Sequence, residues 1–93
     1  MNIMTDQNTG ASEEFKYVYG TKLANVFITG TFDGATVVMQ AKAPNGDWVD
    51  VKDGEIFEPT MASFTSFPFT GRLNIINNTA NTSISAEVVG QVL

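Results

Sequence analysis

The chain has 93 residues, enough for one domain built on one core, and its 10 acidic and 5 basic side chains leave a formal charge of −5, with neither His nor Cys. Without His or Cys it lacks the commonest general acid/base, the softest metal ligands and the most reactive nucleophile, so the composition points away from catalysis and from a bound cofactor. The basic residues Lys16, Lys22, Lys42, Lys52 and Arg72 are scattered along an acidic chain, which argues against nucleic-acid binding because that function draws on massed positive charge.

Residues 1–14 are polar, carry Gly10 and the adjacent acids Glu13 and Glu14, and show no sustained period. They are expected to form a flexible N-terminal arm, with Ile3 and Met4 as the apolar anchors it offers to a partner. The segment has neither a basic region nor an apolar run of signal-peptide length, and no stretch approaches the ~20 apolar residues that span a bilayer. With no Cys to build a disulfide framework, the chain suits synthesis in a reducing cytoplasm.

Residues 15–93 read as a single β domain. Phe15, Tyr17 and Tyr19 alternate with Lys16 and Val18, a short first strand ended by Gly20. From Asn25 to Phe32, Val26, Ile28 and Phe32 share one face, while Phe27, Thr29 and Thr31 take the other. Asp33-Gly34 then separates two β-rich runs, a strong hairpin signal because both residue types tolerate the positive φ of a type I′ turn. Ala35, Val37, Met39 and Ala41 continue on one face, and the turn Pro44-Asn45-Gly46-Asp47 leads into Trp48–Val51, so a three-stranded meander is expected. In its last strand Val49 and Val51 point inward, Trp48 lies on the outer face or rim, Asp53-Gly54 closes the strand, and Glu55 to Met61 is a connection carrying Pro59.

In the second half Phe64, Phe67 and Phe69 surround Ser66 and Pro68, the pattern of an edge or bulged strand. This run holds more large apolar surface than one strand face hides, which makes Phe64, Phe67 and Phe69 candidates for a subunit interface. Leu73 and Ile75 alternate with Arg72 and Asn74, and Asn77 to Asn81 forms a polar turn, the reading preferred for the glycosylation-like triplets Asn77-Asn78-Thr79 and Asn81-Thr82-Ser83. Ile84, Ala86, Val88 and Val92 close the chain in period 2, with Val89 the one apolar exception.

About seven strands separated by regular turns predict an all-β antiparallel sandwich in which each meander supplies one sheet. Val26, Ile28, Val37, Met39, Val49, Val51, Leu73, Ile75, Ile84 and Val88 are its expected core. Asp47, Asp50, Asp53, Glu55 and Glu58 form a solvated acidic edge, their spacing being unlike a calcium loop. Trp48, Tyr17 and Tyr19 are the aromatics able to stack on sugar rings, a role weighed against rim packing or a protein interface.

The run Gly30-Thr31-Phe32-Asp33-Gly34-Ala35-Thr36-Val37, followed by Pro44-Asn45-Gly46-Asp47-Trp48-Val49-Asp50-Val51, resembles the paired hairpins of small β-sandwich virion proteins of tailed bacteriophages. Arg72-Leu73-Asn74-Ile75 and Thr82-Ser83-Ile84-Ser85-Ala86 resemble their closing strands, so the likeness covers residues 25 to 90. Such proteins serve as capsid decoration, head-fibre or tail components. The resemblance implies a non-enzymatic virion protein, made in the host cytoplasm, that decorates the shell of the major capsid protein. With that setting, the aromatic surplus of the Phe64–Phe69 run predicts a homotrimer, and the charge and hydropathy of the chain predict neither nucleic acid nor membrane as a partner. The alternative role it implies is a tail- or fibre-associated module that binds host glycan.

Overall fold

The period-2 stretches become strands in the computed structural model, which describes residues 1–16, 23–65 and 70–89. Nine strands are formed there: β1 (Asn2–Gln7), β2 (Gly10–Ala11), β3 (Phe15–Lys16), β4 (Leu23–Thr31), β5 (Thr36–Lys42), β6 (Trp48–Ile56), β7 (Thr60–Thr65), β8 (Thr70–Ile76) and β9 (Ser83–Val89). They make two antiparallel sheets. The first has the order β1-β9-β4-β7, and the second β2-β8-β5-β6, with β3 following β2 along β8. The all-β sandwich expected from the sequence is the observed architecture.

Its core is the set of inward faces. Val26 and Ile28 of β4 and Ile84, Ala86 and Val88 of β9 meet Val37 and Met39 of β5, Leu73 and Ile75 of β8 and Ile56 of β6, all in one buried cluster with Phe15, Phe32 and Ala35. Fully burying side chains of this size stabilises by about 1.5–3 kcal/mol each. Val51 packs partly buried against the cluster, while Val49 has the expected inward register opposite Ala41 but stays 50% exposed at the sheet's end.

The Asp33-Gly34 turn has the expected chemistry and a different topology. Asp33 and Gly34 take φ 49° and 86°, the positive pair of a type I′ turn, and the Ala35 amide donates to the Phe32 carbonyl at 3.0 Å. The strands beyond it do not pair with each other. Thr31 pairs with Ser83 in the first sheet and Thr36 with Ile76 in the second, so the turn is an arch from one sheet to the other. The reason is burial at the turn's shoulders: Phe32 and Ala35 both belong to the core, which sends the apolar faces of β4 and β5 to opposite sides of it. The Thr82 hydroxyl donates to the Phe32 carbonyl at 2.9 Å and satisfies it a second time. Just before the arch, Gly30 at φ 111° passes so close to β9 that an added Cβ would sit 2.1 Å from the Ser83 carbonyl oxygen.

Among the described residues, β5 and β6 are the only consecutive strands that pair, so neither half of the chain supplies a sheet by itself. Strand β6 also runs on past Asp53-Gly54. Val38 pairs with Glu55 and Gln40 with Asp50, so Val51 to Gly54 bulge opposite Met39, with Asp53 at φ 61°, and the strand re-forms to bury Ile56. The segment read as a connection therefore contributes its start to β6 and its end, Thr60-Met61, to β7.

The flexible arm expected over residues 1–14 is instead part of both sheets. Strand β1 pairs with β9, then Gly10-Ala11 and Phe15-Lys16 pair with β8, and between them the Ser12 amide donates to the Leu73 carbonyl (2.8 Å) while its hydroxyl accepts from the Leu73 amide (2.9 Å). Two register shifts in β1 explain the missing alternation: the first makes Ile3 the extra residue between the pairs Asn2–Glu87 and Met4–Ala86. A bulge turns two successive side chains toward one face, and Ile3 and Met4 are accordingly both core residues, 2% and 3% exposed, rather than anchors for a partner. The polar turns join in a network at one end of the sandwich, where the Asn8 amide donates to the carbonyls of Thr79 and Thr82 and the Thr79 hydroxyl donates to Asp33.

Replacing Ile3 by Ala should cost about 2–5 kcal/mol, the range for truncating a buried aliphatic side chain. Chemical denaturation monitored by circular dichroism measures it; an unchanged midpoint would return β1 to the status of a loose arm.

Candidate interaction surfaces

With the core assigned, the chemistry-bearing side chains left over lie on the two outer faces and the edges. On the outer face of the second sheet, cross-strand register places Arg72, Gln40 and Asp50 in one row over β8, β5 and β6. The Arg72 Nε–H donates to Gln40 Oε1 at 2.8 Å, and Gln40 Nε2 donates to Asp50 Oδ1 at 2.9 Å. Trp48 lies diagonally beside this row, with the Arg72 guanidinium 4.1 Å from its ring centroid and the Lys42 ammonium 6.0 Å away. A guanidinium over an indole is held by the ring's quadrupole and shields that face from water.

That arrangement bears on the sugar-stacking candidates. Trp48 is on the outer face, as its register demands, but the ring carries Arg72, so a sugar approaching that side meets a cation. Tyr17 and Tyr19 lie outside the described residues, as do Phe67 and Phe69. Phe64 is placed only by its backbone, opposite Ala24 in β7, so the interface expected of the Phe64–Phe69 run is not drawn from its side chains. The acids Asp47, Asp50, Asp53, Glu55 and Glu58 are all exposed, and among the described residues no three acidic groups gather into a geometry able to hold a metal ion.

The outer face of the first sheet is different in kind. Phe27, Met61 and Val89 stand there 45%, 50% and 47% exposed on the neighbouring strands β4, β7 and β9. Phe27 is directly opposite Met61 on one side and Glu87 on the other, while Val89 is opposite Asn25. The Ser63 hydroxyl donates to Asn25 Oδ1 at 2.7 Å and borders the patch with a polar rim. Beside Phe27 a shallow cavity of about 130 Å³ opens between Thr29, Ser85 and Glu87, with Asn2 and Met4 of β1 at its far wall. Apolar residues of three adjacent strands on one outer face form the kind of surface that a partner protein covers.

This face was only half visible in the sequence. Val89 breaks the alternation of its strand and Phe27 falls on the face opposite Val26 and Ile28, so both announce themselves as outward apolar residues, but Met61 falls in the segment read as a connection. Comparisons of the chain with family models, curated proteins and solved structures find no match.

Arg72→Ala should uncover the ring of Trp48, the single Trp of the chain, shifting its emission to the red and raising its quenching by acrylamide, with a stability loss of about 0.5–1 kcal/mol. Emission and quenching identical to the parent protein would mean that the stack does not persist in solution.

Proposed function

We propose that this protein is a non-enzymatic structural component of a bacteriophage virion, a decoration protein that binds the shell of the major capsid protein by protein–protein contact after synthesis in the host cytoplasm. The observation that carries the reading is the apolar face that Phe27, Met61 and Val89 form on three adjacent strands of an acidic chain. Its rim is polar and its centre apolar, the anatomy of a protein interface. The turn and strand motifs that resemble phage virion sandwiches support the setting, and they lie on the framework of β4, β5, β6, β8 and β9 that carries this face.

The chemistry asked of such a component is modest. Each copy binds through a small patch, and many copies on a repeating lattice sum weak contacts into firm attachment. A rigid sheet suits that task, since no ordering of its backbone opposes each contact.

Quantitative mass spectrometry of purified particles is expected to find the chain at a copy number of the same order as the shell protein, and Phe27→Asp, on an exposed position, should lower attachment to particles at least tenfold, the loss of about 1.4 kcal/mol or more typical of a central aromatic contact. A handful of copies per particle would overturn the decoration role in favour of a tail or fibre position, and undiminished attachment of Phe27→Asp would remove this face from the contact.

A further inference from the structure

We infer that β7 is a self-pairing edge, through which two copies of this chain join their first sheets antiparallel about a two-fold axis. The inference goes beyond the capsid reading and does not depend on it, because it concerns the free protein.

Among the described residues the sandwich has four sheet edges, and three carry devices that discourage pairing. Strand β1 is interrupted by two register shifts and by Asp6 at φ 44°. Strands β2 and β3 are two residues long each. Strand β6 bears Asp50, Lys52, Asp53 and Glu55, all exposed, and bulges at Val51 to Gly54. Bulges, brevity and charge are the means by which natural sheets blunt their edges. Strand β7, Thr60-Met61-Ala62-Ser63-Phe64-Thr65, has none of them: it contains no charge, Pro or Gly, and it pairs with β4 over six successive residues without a shift in register.

Charge selects a second copy as the occupant. In a chain of net charge −5, two copies meeting at β6 would bring together two edges that each carry Asp50, Asp53 and Glu55 against the single Lys52, whereas β7 is the neutral edge at which they approach without that excess of like charge. Antiparallel self-pairing with Ala62 opposite Ala62 keeps inner faces with inner and outer with outer, and sets Met61 of each copy opposite Ser63 of the other. The half-exposed Met61 is then covered, and the Phe27–Met61 surfaces of the two copies merge into one wider apolar face. The contact produces a dimer, in place of the trimer expected from the aromatic run.

The test is sedimentation equilibrium over the low to high micromolar range, with hydrogen exchange on the same samples. The expected result is a mass rising from one chain to two, with exchange over residues 60–65 slowing as concentration rises while β6 stays unchanged. Met61→Lys and Met61→Glu each should weaken the dimer at least tenfold without altering the melting transition, and mixing the two should restore it. A monomer throughout, a trimer, or a dimer that ignores both substitutions would overturn the inference. Should either variant fold poorly, the concentration dependence of exchange in the parent protein decides alone: no slowing over residues 60–65 overturns it.

Discussion

Everything in this fold depends on the arch at Phe32–Ala35. A two-residue turn of positive φ normally lays its flanking strands side by side. Here both shoulders are buried, so the strands part and face each other through the core. Once β4 and β5 sit in different sheets, each must find its neighbours elsewhere: β4 takes β9 and β7, and β5 takes β8 and β6. The Thr82 hydroxyl on the Phe32 carbonyl and the Asn8 contacts to the same corner tie the arch to the two other turns at that end. A hydrogen bond of this kind contributes about 1 kcal/mol net.

This arrangement has a kinetic corollary. Among the described residues the first strand pairs with the last and only β5 and β6 form a local hairpin, so most pairing closes long loops before any burial rewards it. Topologies of that kind fold in milliseconds to seconds rather than microseconds. The N-terminal segment is then a closing element rather than an appendage. By pairing β1 with β9 and β2 and β3 with β8, it spans from one sheet to the other along one side of the sandwich.

What the sequence made legible follows from what period 2 encodes. Alternation records which face of a strand is buried, and it placed Val26, Ile28, Val37, Met39, Leu73, Ile75, Ile84 and Val88 correctly in the core. It does not record which strand lies alongside, because Asp33-Gly34 serves an arch as well as a hairpin. It also fails wherever the ladder is irregular. The bulges of β1 bury the successive residues Ile3 and Met4, and the bulge of β6 restores a strand after Asp53, so both segments looked unstructured in a pattern that assumes strict alternation. The outer surfaces were legible in part: Val89 stood out as an exception and Phe27 was set on the face opposite Val26 and Ile28, whereas the stack of Arg72 on Trp48 joins residues 24 positions apart through a register that only the assembled sheet reveals.

The outer faces owe their freedom to act to the same topology. With the core closed by strands from both sheets, the first sheet can present Phe27, Met61 and Val89 outward without loosening the interior, and the second can carry a charged and aromatic row. The arch therefore underlies both faces, and backbone nuclear Overhauser effects in labelled protein measure it most directly. The arch predicts cross-strand contacts between Phe27 and Glu87, Thr29 and Ser85, and Val37 and Ile75. Contacts between Thr31 and Thr36 and between Thr29 and Val38, the signature of a β4–β5 hairpin, would contradict it.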